Sequence, residues 1–88
     1  MKIKEGFILR EVAGSYVAVA VGERSNEFNG MVNLNASGAF LWEQAEKGCE
    51  RSDMLQALLD NYEVSEEQAE KDVDKFISIV KENGLVED

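Results

Sequence analysis

Residues Leu34 to Trp42 read LNASGAFLW, and this stretch decides the fold. Asn35 is placed to cap a helix, its side chain accepting from the free amides of the next turn. Leu34 and Ala39 take the two positions of a hydrophobic staple across that cap. The spacing predicts a helix from Ala36 to about Lys47, ended by Gly48 in a left-handed turn. Phe40 and Leu41 are core anchors by spacing. Trp42 fits either the core or a groove wall, and its bulk and apolar ring favour the core.

Upstream of this junction the chain reads as strands. Gly6–Val12 (GFILREV) and Tyr16–Val21 (YVAVAV) are rich in β-branched and aromatic residues, and Ala13-Gly14-Ser15 between them suits a hairpin. In the second run Val17, Val19 and Val21 share one face and Tyr16, Ala18 and Ala20 the other, so a central, covered strand is expected. Gly22–Asn29 (GERSNEFN) reads as a polar loop. Gly30–Leu34 (GMVNL) follows as a third, short strand, with Val32 and Leu34 facing one way and Met31 and Asn33 the other. That mixed alternation suits an edge strand, which leaves backbone groups free to accept another strand.

Downstream lie two more helices. One follows Ser52, with Leu55, Leu58, Leu59 and Tyr62 on one stripe. The other opens at Ser65, whose S-x-x-Q spacing to Gln68 reads as a capping box, and runs from Glu66 to about Asn83 before Gly84. Ala69, Val73, Phe76, Ile77 and Val80 gather into its core stripe. Ile79 lies at the edge of the stripe beside Asp72, Lys75 and Phe76, where it either widens the core or lines a groove. A small rotation of this helix would exchange Ile79 for Ile77. Leu85 and Val86 return to the core. Three strands and then three helices predict one α+β domain over residues 1–88, winged-helix-like, with a three-stranded antiparallel sheet. A helical trio with a loose hairpin is the weaker alternative.

Composition bounds the chemistry. The 88 residues carry eighteen acids and nine bases, a net charge of −9, and no histidine. The absence of histidine removes the usual general base and the commonest metal ligand. One cysteine, Cys49, makes neither a zinc site nor an internal disulfide. No glycine-rich phosphate loop is present. A non-catalytic protein without cofactor or metal is therefore expected. The acidic surface disfavours nucleic acid and membrane as partners. With no signal peptide and no run of membrane-spanning length, cytoplasmic is the expected location.

A winged helix of this kind could bind DNA through its third helix. That helix carries Glu66, Glu67, Glu70, Asp72, Asp74 and Glu82 against Lys71, Lys75 and Lys81, so the phosphate attraction is missing. Peptide capture is the other use of the fold. Met31, Val32, Asn33 and Leu34 would form a strand wall, and Asp72, Lys75, Phe76 and Ile79 a helix wall, of a groove that takes an extended peptide.

The order of hairpin, LN-x-S/T-G/A-x-x-x-W, leucine-rich helix ending in Tyr, S-x-E-x-A-x-x-D-V-x-x-F-x-x-x-V, glycine and Leu-Val resembles PqqD-like sequences. It spans roughly Phe7 to Val86 and is carried by Leu34, Asn35, Trp42, Tyr62, Asp72, Val73, Phe76, Gly84 and Leu85. The resemblance implies a RiPP recognition element. Such a domain is a chaperone that binds the leader of a ribosomally made precursor between its third strand and third helix, for a modifying enzyme often of the radical SAM class. Members serving pyrroloquinoline quinone are expected to carry proline and tyrosine ahead of the Leu-Asn step. This chain reads NEFNGMVNLN there and has no proline, which points to a relative serving another modified peptide. An adaptor that binds only its partner enzyme, and an acidic winged-helix regulator, remain the alternatives.

Overall fold

The computed structural model describes residues 1–22 and 31–87, and its architecture grows from one tight turn. Strands β2 (Phe7–Val12) and β3 (Ser15–Ala20) are joined by Ala13 and Gly14, both at positive φ (51° and 81°), in a two-residue hairpin. Such a turn matches the right-handed twist of the strands, and glycine adopts it freely while alanine does so at a cost. The first strand starts one residue later than the sequence suggests, the second starts and ends one residue earlier, and the loop is two residues rather than three. The strand expected over Gly30–Leu34 is seen as β4, Met31–Leu34; the polar loop read before it falls, apart from Gly22, outside the described residues.

The sheet order is β2-β3-β4, antiparallel throughout, so β3 is central and β4 is an edge. Its register pairs Leu9, Ala18 and Val32 across the three strands. Ala18, Val32 and Leu34 are buried on one face, against the helices. The following helices are α1 (Ala36–Glu46), α2 (Arg51–Asn61) and α3 (Glu66–Glu82). A feature without a periodic signal also appears: β1 (Lys2–Ile3) pairs with β5 (Val86–Glu87), clipping the two ends of the chain together.

The core joins the sheet to all three helices through Leu41, Trp42, Met54, Leu58, Val73, Phe76, Val80 and Leu85. Trp42 is fully buried, so it is a core residue and no groove wall. Phe40 and Tyr62 meet edge to face, with ring centroids 5.3 Å apart, at the core's margin. Ile77 is half-buried and packs on the core from its side.

The helix ends follow local chemistry. The Asn35 side chain accepts from the Gly38 amide at 2.8 Å and so caps α1. At the end of α3, Gly84 (φ 70°) closes a Schellman turn: the Leu85 amide bonds the Val80 carbonyl at 2.8 Å and the Gly84 amide bonds that of Lys81 at 3.1 Å. Two expectations are corrected. The second helix starts at Arg51, ahead of Ser52, because Asp53 reaches back to accept the Glu50 amide at 2.9 Å and stabilises an earlier turn. At Ser65 only half of the expected box forms. Ser65 accepts from the Gln68 amide, but the Gln68 side chain donates to Asp72 at 3.0 Å instead.

Candidate functional site

The free edge of β4 is the starting point. In a two-residue hairpin the pair flanking the turn, here Val12 and Ser15, exchanges both backbone hydrogen bonds, and bonded pairs then alternate along the ladder. The Val21 amide bonding the Gly6 carbonyl at 2.8 Å keeps that alternation. It follows that Tyr16 and Ala18 turn their backbone groups toward Leu34 and Val32 of β4. Met31 and Asn33 therefore point their N–H and C=O groups outward, off the sheet. An approaching extended chain would meet them as a ready ladder.

Helix α3 supplies the second wall. Asp72, Lys75, Phe76 and Ile79 follow the i, i+3, i+4, i+7 spacing that aligns side chains along one helical flank. They line a cleft of about 70 Å³ together with Asn33, Leu34, Asn35 and Gly38. Leu34 and Phe76, both buried, are its floor; half-buried Ile79 is its reachable apolar surface. Asp72 and exposed Lys75 give it one charge of each sign. The cleft is too small for a peptide and suits one aliphatic side chain of a strand lying along the edge.

Of the eight residues expected at the groove, Asn33, Leu34, Asp72, Lys75, Phe76 and Ile79 come together in this cleft. Met31 and Val32 do not line it. The Met31 side chain is 67% exposed on the far face of the sheet, and that of Val32 is buried in the core. The helical phase is resolved as well. Ile77 lies on the opposite flank of α3, in a broad hollow with Met54, Arg51, Asp74 and Lys81. There Arg51 grips Asp74 through two hydrogen bonds of 2.8 and 3.2 Å, which hold the Asp74 carboxyl below its ordinary range.

Asn35 and Gly38 are the lining residues that sequence reasoning did not include, although the Asn35 cap was itself legible. A Cβ on Gly38 would stand 3.0 Å from Asn35 Oδ1 and 3.3 Å from Leu34 Cβ, so glycine keeps the cap and the cleft wall uncrowded. Among the described residues no cluster of His, Cys, Asp or Glu is arranged to hold a metal ion. Nor, among the described residues, is any helix long and apolar enough to cross a membrane.

Comparison with known proteins places the chain. Two solved structures share its fold. One is TbiB1 in complex with the TbiA(beta) leader peptide (TM-score 0.73, 21% identity, covering 99% of this chain and 95% of that one). The other is lasso peptide synthetase B1 complexed with the leader peptide (TM-score 0.69, 23% identity, covering 96% and 93%). Among curated protein sequences none matches significantly. Residues 8–86 match the family described as coenzyme PQQ synthesis protein D (PqqD). Since that match spans nearly the whole chain, the protein belongs to the PqqD family.

Proposed function

We propose that this protein is a non-catalytic leader-peptide chaperone. It holds the leader of a ribosomally made precursor and presents the rest to a modifying enzyme, of the radical SAM class by the family resemblance. The observation that carries this reading is the free edge of β4 lying beside a lined cleft. The leader adds as a strand to Met31–Leu34, bonding the outward backbone groups of Met31 and Asn33. Alternate side chains of that strand then turn toward Asp72, Lys75, Phe76 and Ile79, and one aliphatic side chain enters the cleft. Family membership supports the reading, as do the two leader-peptide complexes of the same fold.

Main-chain bonding gives affinity without demanding a particular sequence, while the cleft selects the side chain that enters it. The surrounding acidic surface, at a net −9, favours leaders that carry basic residues. The test is an anisotropy titration of the protein with the labelled leader of the precursor encoded beside it. Saturable one-to-one binding is expected. No binding to well-folded protein, with or without the neighbouring enzyme, overturns the reading.

A further inference from the structure

The cleft beside β4 holds two charges, and their surroundings differ. The Asp72 carboxylate is engaged from its own helix, where the Gln68 side chain donates to it at 3.0 Å. Lys75 stands three residues on, exposed at the same cleft, and forms no ion pair with any described residue. By contrast Lys71, one turn earlier, pairs with Glu67 at 3.7 Å. Eighteen acids stand against nine bases in this chain, so partners for a lysine are plentiful. The lysine at the cleft nevertheless keeps its ammonium unpaired, because the one carboxylate lining the cleft with it is drawn back toward Gln68.

The spacing of the cleft residues fits an extended chain. Lys75 and Ile79 lie one turn apart on α3, a rise of about 6 Å. Alternate side chains of a strand are about 6.8 Å apart and point the same way. A leader on the β4 edge therefore sets two side chains toward α3. One meets the apolar part of the cleft, formed by Leu34, Phe76 and Ile79, and the next on that side meets the Lys75 ammonium. The flexible four-carbon stem of the lysine serves either direction of the leader. A carboxylate arriving there gains a charge-assisted hydrogen bond, while a lysine or arginine meets like charge. The net −9 acts differently, because charges farther away than about 8 Å are largely screened at physiological salt. Distant acids attract bases elsewhere on a leader, but contact at Lys75 selects an acid.

We infer that Lys75 is a specificity-determining residue of the leader site, and that the leader it accepts carries an aspartate or glutamate two positions from its aliphatic anchor. The inference rests on the leader-binding reading above and names the class of leader that the site takes.

The test is a double-mutant cycle by anisotropy, using the full chain and the labelled leader of the precursor encoded beside it. An alanine scan of the leader first locates the anchor as the aliphatic residue whose loss weakens binding most. Each acid of the leader is then replaced in turn by its amide and titrated against the parent, Lys75→Met and Lys75→Glu. Lys75 is exposed, so neither substitution disturbs the core, and circular dichroism checks the fold. Neutralising the acid two positions from the anchor should weaken binding to the parent about three- to tenfold, but binding to Lys75→Met less than about twofold. Lys75→Glu should weaken the native leader more than about tenfold and regain affinity when that acid is replaced by lysine. A merely structural lysine would show no such exchange. An equal loss in the parent and in Lys75→Met overturns the inference, as does a leader that binds with no acid at that position. Coupling of Asp72 to a basic leader residue, with both Lys75 variants parent-like, also overturns it. Failure of the leader to bind the folded parent overturns the leader-binding reading and this inference together, whereas the other negative outcomes leave that reading standing.

Discussion

The sheet has two edges, and they differ in what stands beside them. By the alternation that leaves Met31 and Asn33 open on β4, the backbone groups of Leu9 and Glu11 point off β2. Both edges thus offer unpaired donors and acceptors. Beside β2 the flanking hollow is lined by Lys2, Lys4, Glu5 and Glu46 around Ile3 and Phe7, and Glu11 stands on the edge itself. Charges so placed oppose the pairing of a passing strand. Beside β4 stand the apolar floor of Leu34 and Phe76, the reachable side chain of Ile79, and one charge of each sign. Free backbone alone does not make a peptide site; what the neighbouring helix offers to alternate side chains decides it.

The largest effect is expected from removing one outward donor. Asn33→Pro deletes the amide that faces the incoming strand and spares the bonds between β3 and β4. Leader affinity should fall by about tenfold to a hundredfold, corresponding to about 1.5–3 kcal/mol, in an anisotropy titration with an unchanged circular dichroism spectrum. Glu11→Pro makes the same change on the β2 edge and should leave leader affinity within about twofold. If the two variants behave alike, the distinction between the edges fails.

The two flanks of α3 give the next contrast. Ile79→Ser strips the apolar surface from the cleft and should cost about 1.5 kcal/mol of leader binding, near tenfold. Ile77→Ser, on the flank with Arg51 and Asp74, should leave binding intact while lowering stability modestly in urea. Fluorescence of Trp42, the one tryptophan and fully buried, reports that unfolding.

Smaller effects belong to regions that position the edges without touching a peptide. Ala13→Asn relaxes a left-handed residue in the hairpin and should raise stability by about 0.5–1 kcal/mol, with leader affinity unchanged. The Arg51–Asp74 pair is exposed, so its share of stability is small. Its sign is nevertheless defined. The hydrogen bond from Arg51 lowers the Asp74 carboxyl in the folded state, so the pair stabilises above the unfolded carboxylate range. That contribution is lost as pH falls through the lowered value. The urea midpoint of the parent should therefore converge on that of Arg51→Gln below about pH 4.

Much of this was legible in the sequence, for identifiable reasons. The 3.6-residue period placed Asp72, Lys75, Phe76 and Ile79 on one flank, and Asn35, Gly48 and Gly84 marked helix ends that the structure keeps. Period-two alternation set Val32 and Leu34 inward and Met31 outward on β4. What escaped depends on distant or competing partners. The β1–β5 pair joins Lys2 to Glu87 through two-residue strands, too short for any periodic signal. Met54, fully buried on α2, was hidden among the leucines. The Ser65-to-Gln68 spacing suggests a capping box, but Asp72 one turn on competes for the Gln68 side-chain amide and wins. Gly38 entered the cleft wall through its closeness to Asn35 and Leu34, a packing fact that spacing does not carry.

Amide hydrogen exchange, read residue by residue with and without the leader, tests strand addition at β4 most directly. The account predicts that the Met31 and Asn33 amides exchange freely in the unliganded protein and become protected when the leader binds, while those of Leu9 and Glu11 do not change. Protection appearing along β2 instead, or leader binding with no added protection at Met31 and Asn33, would contradict it.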